Sequence, residues 1–158
     1  MKLIIFEDGT HDNFYPVAET RPLSELRAGA FTMHERIEHL AVKNFGKPEI
    51  FFNVRSSMID VAREIYGANK VNQPIEAADT LFVNALYVPF GFNIKPGEML
   101  VSNDRVAAVF LDAAAVKNLA GGATLTKKQR KLPCQFPSAP KPLISPSNPK
   151  LPRTRTSS

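Results

Sequence analysis

Residues 2–40 read KLIIFEDGTHDNFYPVAETRPLSELRAGAFTMHERIEHL, and this stretch decides the fold of the chain. Its first five residues, Lys2–Phe6, form an apolar run before a polar turn, which predicts a buried strand. Thr32 and Glu35 match the two ends of a capping box, which predicts the start of a helix. A strand, a polar loop and a helix in this order are typical of ligand sites in α/β proteins, since the loop lies beyond the carboxyl end of the strand. We therefore expect the function to be concentrated in this loop.

Two further strands, a second helix and a hairpin complete the predicted sheet. Residues 49–54 and 81–88 are short apolar runs, and a helix that begins with Ser57 as its capping residue separates them. Residues 98–111 hold two apolar runs around a tight turn, which predicts a β-hairpin. Strand–helix–strand–helix–strand followed by a hairpin predicts an α/β fold whose sheet is mostly parallel, with right-handed crossovers.

Charge divides the chain into an acidic body and a basic tail. Residues 1–112 hold 11 Lys/Arg and all 15 Asp/Glu, whereas residues 113–158 hold nine Lys/Arg and no acid. From residue 126 onward the sequence is rich in Lys, Arg, Pro and Ser and lacks apolar periodicity, so we expect disorder. The predicted organisation is one folded domain over residues 1–125 and a basic tail over residues 126–158. The abrupt loss of acids also fits a tail that is not native coding sequence.

The composition excludes several classes of protein. No apolar run approaches the length of a transmembrane helix, and the N-terminus has no signal-peptide pattern. The single cysteine, Cys134, allows no internal disulfide. Together these features lead us to expect a cytoplasmic protein.

Common catalytic and metal-binding patterns are absent from the sequence. There is no Walker A sequence and no Gly-x-Gly-x-x-Gly after a strand. His34 and His39 are five residues apart, so they do not share the helical face that a metal site needs. We interpret them and His11 as ordinary surface histidines.

Two arginines make the first loop a candidate anion site. The guanidinium groups of Arg21 and Arg27 can bind phosphate through two parallel hydrogen bonds. The helix that starts at Thr32 adds partial positive charge. The alternative is a surface loop in which these arginines pair with neighbouring acids, namely Glu19, Glu25 or Glu35.

The same residues resemble the start of sugar nucleotidyltransferases, in the divergent branch related to the uridylyltransferase half of bacterial N-acetylglucosamine-1-phosphate uridylyltransferase. In that branch a strand ending in acidic residues leads to Thr-Arg-Pro and then to Arg-x-Gly before a helix. Here Thr20-Arg21-Pro22 and Arg27-Ala28-Gly29 match those two motifs. Residues 82–89 resemble the third strand of the family, and the whole resemblance covers about residues 2–112.

The resemblance implies a Rossmann-like domain that joins a nucleoside triphosphate to a sugar 1-phosphate, releases pyrophosphate and uses Mg²⁺ to bridge phosphates. It also implies that this chain is the N-terminal part of a larger enzyme. Such nucleotide sugars feed the synthesis of cell-envelope polysaccharides. At the place of the family's metal-binding Asp this chain has Asn84 or Leu86, so no Mg²⁺ ligand is identified. Carried over residue by residue, the resemblance implies phosphate-binding catalytic roles for Arg21 and Arg27, and nucleotide-binding roles for Asp8, Gly9, Thr10, Pro22 and Asn84.

Two other functions remain open on the sequence alone. The chain could be a non-catalytic binding or assembly module that kept the fold and lost the metal site. Alternatively, the basic run Lys127-Lys128-Gln129-Arg130-Lys131 could bind nucleic acid or another polyanion, although nucleic acid is not the partner that we expect. We expect no membrane partner, and the sequence leaves open whether the chain forms a homo-oligomer.

Overall fold

A computed structural model of the chain describes residues 1–88, 93–120 and 128–131. Its regular elements follow in chain order: β1 (Lys2–Phe6), β2 (Arg27–Ala28), β3 (Phe31–Thr32), α1 (Met33–Phe45), β4 (Glu49–Asn53), α2 (Ile59–Tyr66), β5 (Thr80–Asn84), β6 (Glu98–Ser102), β7 (Arg105–Leu111), α3 (Ala113–Ala120) and β8 (Lys128–Lys131). Six of the strands form one sheet in the order β4-β1-β5-β7-β6-β8, and β2 pairs with β3 in a separate two-stranded ribbon.

The sheet combines a parallel half with an antiparallel hairpin. Strand β1 lies between β4 and β5 and is parallel to both, with Leu3 opposite Ile50 on one side and Leu81 on the other. Strand β7 is antiparallel to β5 and to β6. Asn103 and Asp104 form the β6–β7 turn with positive φ angles of 50° and 56°, as a tight hairpin turn requires. The predicted Rossmann-like α/β fold, mostly parallel with a hairpin near residues 98–111, is confirmed.

Strand β5 is shorter than the sequence predicts. It ends at Asn84 rather than near Val88, because the Asn84 side chain redirects the backbone: its Oδ1 accepts a hydrogen bond from the Leu86 N–H at 2.9 Å. The Tyr87 N–H then donates to the Asn84 carbonyl at 2.9 Å and closes a turn. The apolar residues that follow Asn84 are buried in this turn instead of extending the strand.

One face of the sheet carries most of the core. Helices α1 and α2 cover this face through buried residues such as Ile37, Ala41 and Ala62. On the opposite face a smaller cluster joins Val116 of α3 to Val109 and Leu111 of β7. The helix predicted to start at Ser57 begins instead with a one-turn 3-10 helix and becomes α-helical at Ile59, without a side-chain cap.

The long first loop is ordered by local structure. It contains one-turn 3-10 helices at His11–Phe14, Val17–Glu19 and Leu23–Glu25, followed by the β2–β3 ribbon. The capping box at the start of α1 is confirmed: the Thr32 hydroxyl accepts from the Glu35 N–H, and Glu35 Oε2 accepts from the Thr32 N–H at 2.7 Å. The loop therefore enters α1 at a fixed angle.

Part of the predicted tail belongs to the sheet. Residues 128–131 form β8 and pair in parallel with β6, which differs from the expectation that disorder begins at residue 126. The other tail residues, including Lys127 and residues 132–158, lie outside the described residues. In the described parts of the chain, no helix is long and apolar enough to cross a lipid bilayer.

Candidate functional site

The carboxyl ends of β1 and β5 lie side by side at one edge of the sheet. Phe6 and Asn84 are opposite each other in the register of the two strands, and the Ala85 N–H donates to the Phe6 carbonyl at 2.8 Å. Asp8 follows β1 by two residues, so its side chain reaches Asn84, whose Nδ2 donates to Asp8 Oδ2 at 2.8 Å. Asn84 itself is 1% exposed, which fixes the position of this contact.

Arg105 joins these two residues from the hairpin. Because β7 is antiparallel to β5, its first residue lies near the end of β5. Arg105 Nη2 donates to Asp8 Oδ2 at 2.8 Å and to Asp8 Oδ1 at 3.1 Å, while its Nε donates to Oδ2 at 3.1 Å. The same Nη2 donates to the Thr10 hydroxyl at 2.7 Å. We call Asp8, Thr10, Asn84 and Arg105 the Asp8 cluster.

The cluster keeps Asp8 ionised. Partial burial raises the pKa of Asp8, but the hydrogen bonds from Thr10, Arg105 and Asn84 together outweigh burial and hold that pKa below its usual value. The carboxylate also accepts from both donors of Thr10, the hydroxyl at 2.6 Å and the backbone N–H at 3.1 Å. Asp8 is therefore a fixed negative charge that orients a guanidinium and a hydroxyl.

A second acidic residue at the end of β1 fixes the loop. Glu7 Oε2 accepts from Arg55 Nη1 at 2.7 Å, and the two side chains are only 3% and 11% exposed. Glu7 Oε1 accepts from the Leu23 N–H at 2.7 Å. Arg55 Nη2 donates to the carbonyls of Ala18 and Arg21. This Glu7–Arg55 pair ties the Thr-Arg-Pro segment to the carboxyl edge of the sheet.

The two sequence-predicted phosphate ligands are both exposed, but they differ in their surroundings within the described residues. Arg21 is exposed, and among the described residues it is engaged only through its backbone carbonyl. Arg27 is exposed and donates from Nη1 to the Ala30 carbonyl at 3.3 Å. In the part of the chain that the structure describes, neither arginine lies within ion-pair distance of a Glu. Arg27 is nevertheless close enough to act on Glu35, because hydrogen bonds from Thr32 chiefly lower the pKa of Glu35 and the charge of Arg27 lowers it further. Arg27 also shares no hydrogen bond with the described members of the Asp8 cluster.

The carboxylate of the neighbouring Glu25 contacts Tyr66 and His34. Its Oε1 accepts from the Tyr66 hydroxyl at 2.6 Å and lies 3.0 Å from His34 Nδ1. Burial, together with the hydrogen bond to Glu25, raises the pKa of Tyr66. His34 packs edge-on against Tyr66 and Phe52, so it is a half-buried packing residue and not the surface histidine that the sequence indicated.

The remaining predicted nucleotide-binding residues divide into exposed and buried ones. Gly9 is exposed, and a Cβ added there would meet no atom within 4 Å, so open space lies in front of it. Pro22 is buried and shapes the loop from inside. Beside the cluster, an apolar groove of about 430 Å³ runs along the sheet and is lined in part by Phe6, Glu7, Phe82, Val106 and Leu119. Its volume is in the usual range for a small-molecule pocket.

Sequence reasoning missed Arg55 and Arg105. Arg55 follows the end of β4 as Asp8 follows the end of β1, so the rule that selected Asp8 could have selected Arg55. Arg105 gives no comparable signal, because its position depends on the antiparallel placement of β7 beside β5.

The described residues do not fit Mg²⁺ at this site. Both oxygens of Asp8 already accept hydrogen bonds from protein donors, and Asn84 directs its amide oxygen to the Leu86 N–H. Among the described residues, no three His, Cys, Asp or Glu side chains converge to hold a metal ion. The Mg²⁺ requirement that the resemblance implies stays a prediction without support from these donors.

Comparison with known proteins identifies the fold and the family of the chain. The fold is similar to that of CTP:phosphocholine cytidylyltransferase from Streptococcus pneumoniae, with a TM-score of 0.52 and 12% identity over 85% of this chain and 91% of that one. No curated protein is significantly similar in sequence. A family model described as sugar nucleotidyl transferase matches residues 3–145, which is most of the chain. The chain therefore belongs to the sugar nucleotidyl transferase family.

Proposed function

We propose that this chain binds a nucleoside triphosphate at the carboxyl edge of the sheet and transfers its nucleotidyl group to a sugar 1-phosphate. The observation that carries the proposal is the loop held by the Glu7–Arg55 pair beside the Asp8 cluster. This arrangement fixes the backbone at Arg21, whose exposed side chain has no ion-pair partner among the described residues, and Gly9 faces open space after the end of β1. Family membership and the nucleotidyltransferase fold support the same reaction class.

The proposed reaction depends on positively charged groups and on the correct positioning of the two substrates, and it requires no covalent bond to the protein. An oxygen of the sugar phosphate attacks the α-phosphorus, the bond from that phosphorus to the bridging oxygen breaks, and its electron pair leaves with pyrophosphate. Guanidinium groups stabilise the charge that develops on the phosphate oxygens. Arg21 and Arg27 would supply this charge as the catalytic phosphate ligands.

The nucleotide would be held by the residues around the end of β1. Gly9 and Thr10 would line it, since Gly9 leaves room for close approach and the Thr10 hydroxyl is held by Asp8 and Arg105. Asp8 and Asn84 would orient these groups, while Pro22 would shape the loop. The apolar groove beside the cluster offers space for a base or sugar ring.

Isotope exchange between pyrophosphate and the nucleoside triphosphate tests the reaction. We expect labelled pyrophosphate to enter UTP, dTTP or CTP only when a sugar 1-phosphate is present, and Arg21→Ala to reduce the rate. Arg63→Ala is the matched control, because Arg63 is an exposed arginine on α2 whose ion-pair partner is Asp60. No exchange with any of these nucleotides and a panel of hexose 1-phosphates would reject the enzymatic proposal.

A non-catalytic binding module is the second candidate, and one observation favours it. The cluster holds a single carboxylate, Asp8, and this carboxylate is already fully engaged by protein donors. A protein of this kind would bind the nucleotide in titration calorimetry and show no isotope exchange. Binding accompanied by exchange would exclude it.

A further inference from the structure

The Asp8 carboxylate has no acceptor position left for a metal ion. Oδ1 accepts from the Thr10 hydroxyl, the Thr10 N–H and Arg105 Nη2, at 2.6, 3.1 and 3.1 Å. Oδ2 accepts from Asn84 Nδ2, Arg105 Nε and Arg105 Nη2, at 2.8, 3.1 and 2.8 Å. An ionised carboxylate offers about four lone-pair sites, so these contacts saturate it.

The charge at this position is already supplied by the guanidinium. The Asp8 and Arg105 side chains are 25% and 24% exposed, so their two-pronged contact is partly shielded from water and salt. Mg²⁺ requires near-octahedral oxygen ligands and gives up its water reluctantly. To reach Asp8 it would have to displace the guanidinium together with the Thr10 and Asn84 donors.

We propose that Arg105 takes the place of a divalent cation beside Asp8, so that the chain binds a nucleoside triphosphate through protein cations alone and Mg²⁺ does not strengthen the binding. This inference rests on the proposed function, because it concerns the same nucleotide site. It reverses the metal dependence that the family resemblance implies.

The charges of the nucleotide and of the site determine whether Mg²⁺ strengthens or weakens the binding of the nucleoside triphosphate. Free Mg²⁺ in solution binds the triphosphate and cancels part of its negative charge. A site that offers only guanidinium groups is attracted less to the magnesium complex than to the free nucleotide. A site with an available carboxylate behaves in the opposite way, because the metal bridges protein and phosphate.

Titration calorimetry of the wild-type chain with UTP, in EDTA and in excess MgCl₂, tests this sign. We expect the dissociation constant in EDTA to be equal to or lower than that in MgCl₂. Tighter binding in MgCl₂ would overturn the inference and leave the proposed function intact. Absence of UTP binding under both conditions counts against the proposed function, and a second measurement then decides on the metal.

That measurement titrates Mn²⁺ alone into the protein and follows its electron paramagnetic resonance signal. We expect wild type and Asp8→Asn to leave the same amount of Mn²⁺ free. An ion that wild type immobilises and Asp8→Asn releases would overturn the inference, whether or not a nucleotide binds. If Asp8→Asn does not fold, the wild-type protein alone decides the question. Line broadening of its Asn84 side-chain amide signal by Mn²⁺ would show that the ion binds beside Asp8, and it would overturn the inference.

Discussion

Arginines at the carboxyl edge of the sheet and in the first loop fall into two groups according to their surroundings. Arg55 and Arg105 reach the two acidic residues that follow β1 and act within the protein. Arg21 and Arg27 are exposed, and no described carboxylate lies in ion-pair contact with them. The charge of Arg21 is therefore available to an anion from solution, whereas the charge of Arg27 also acts on Glu35.

Replacing Arg21 or Arg27 with Ala should weaken UTP binding by about 1.5–3 kcal/mol each, the range for hydrogen bonds to charged groups. Lysine should restore only part of the loss, because it lacks the planar fork. Titration calorimetry at two salt concentrations measures both effects, with Arg63→Ala as the control. Equal affinities for wild type and both alanine variants would remove the loop as a phosphate site.

The Asp8 cluster should make stability depend on pH in a defined direction. Since the folded pKa of Asp8 is depressed, its contribution is present above the unfolded pKa of about 3.9 and is lost as pH falls through the folded value. We expect the difference in unfolding free energy between wild type and Asp8→Asn to be largest near neutral pH and to shrink in acid. Urea unfolding across a pH series measures it, and a constant difference would show that Asp8 gains nothing from the cluster.

At the scale of elements, the Glu7–Arg55 pair connects the ends of β1 and β4 to the 3-10 turns of the loop. The Glu7 side chain is nearly inaccessible to solvent, and its carboxylate oxygens accept from the Arg55 guanidinium and from the backbone N–H groups of Leu23 and Arg55. The loop carbonyls of Ala18 and Arg21 depend on the same guanidinium. The Arg55 side chain therefore stabilises the buried Glu7 carboxylate and also holds the backbone of Arg21, the candidate phosphate ligand.

Arg55→Met should lower the free energy of unfolding by about 3–5 kcal/mol, because it leaves the Glu7 carboxylate buried without its partner. The double variant Glu7→Gln, Arg55→Met should cost less than Arg55→Met alone, since no unpaired charge remains. Denaturant unfolding of both, with Arg63→Met as control, measures the difference. A loss below 1 kcal/mol for Arg55→Met would mean that water replaces the guanidinium.

Short sequence patterns predicted the individual helices and strands, but they did not predict which residues of different elements contact each other. The Thr32 capping box and the apolar run around Val83 are readable from adjacent residues, and both are confirmed, with Val83 fully buried. Arg105 could not be assigned to the site, because its role follows from the order of the strands. Strand β8 was missed because backbone pairing with β6 requires no apolar pattern in the sequence.

At the scale of the whole molecule, β8 moves the end of the folded sheet beyond residue 125. Without Lys128–Lys131, one side of β6 would lose its backbone partners and become an edge. The position of this edge therefore decides where the chain can be shortened.

A chain that ends at residue 125 should melt at a lower temperature than one that ends at residue 131. The lost backbone hydrogen bonds contribute about 0.5–1.5 kcal/mol each. Differential scanning calorimetry of the two shortened chains, beside the full chain, compares their midpoints. Identical midpoints for the two shortened chains would show that β8 contributes nothing to stability.

The contact between Asp8 and Arg105 closes a separation of 97 positions along the chain, whereas 48 positions separate Glu7 from Arg55. Closing the longer loop costs more entropy, and residue 105 also leaves the ribosome later. We therefore expect the candidate site to be assembled in two steps, in which the Glu7–Arg55 contact forms before the Asp8–Arg105 contact. Arg105→Gln should therefore accelerate unfolding in stopped-flow experiments while leaving the folding rate nearly unchanged, whereas a slower folding rate would place this contact in the nucleus.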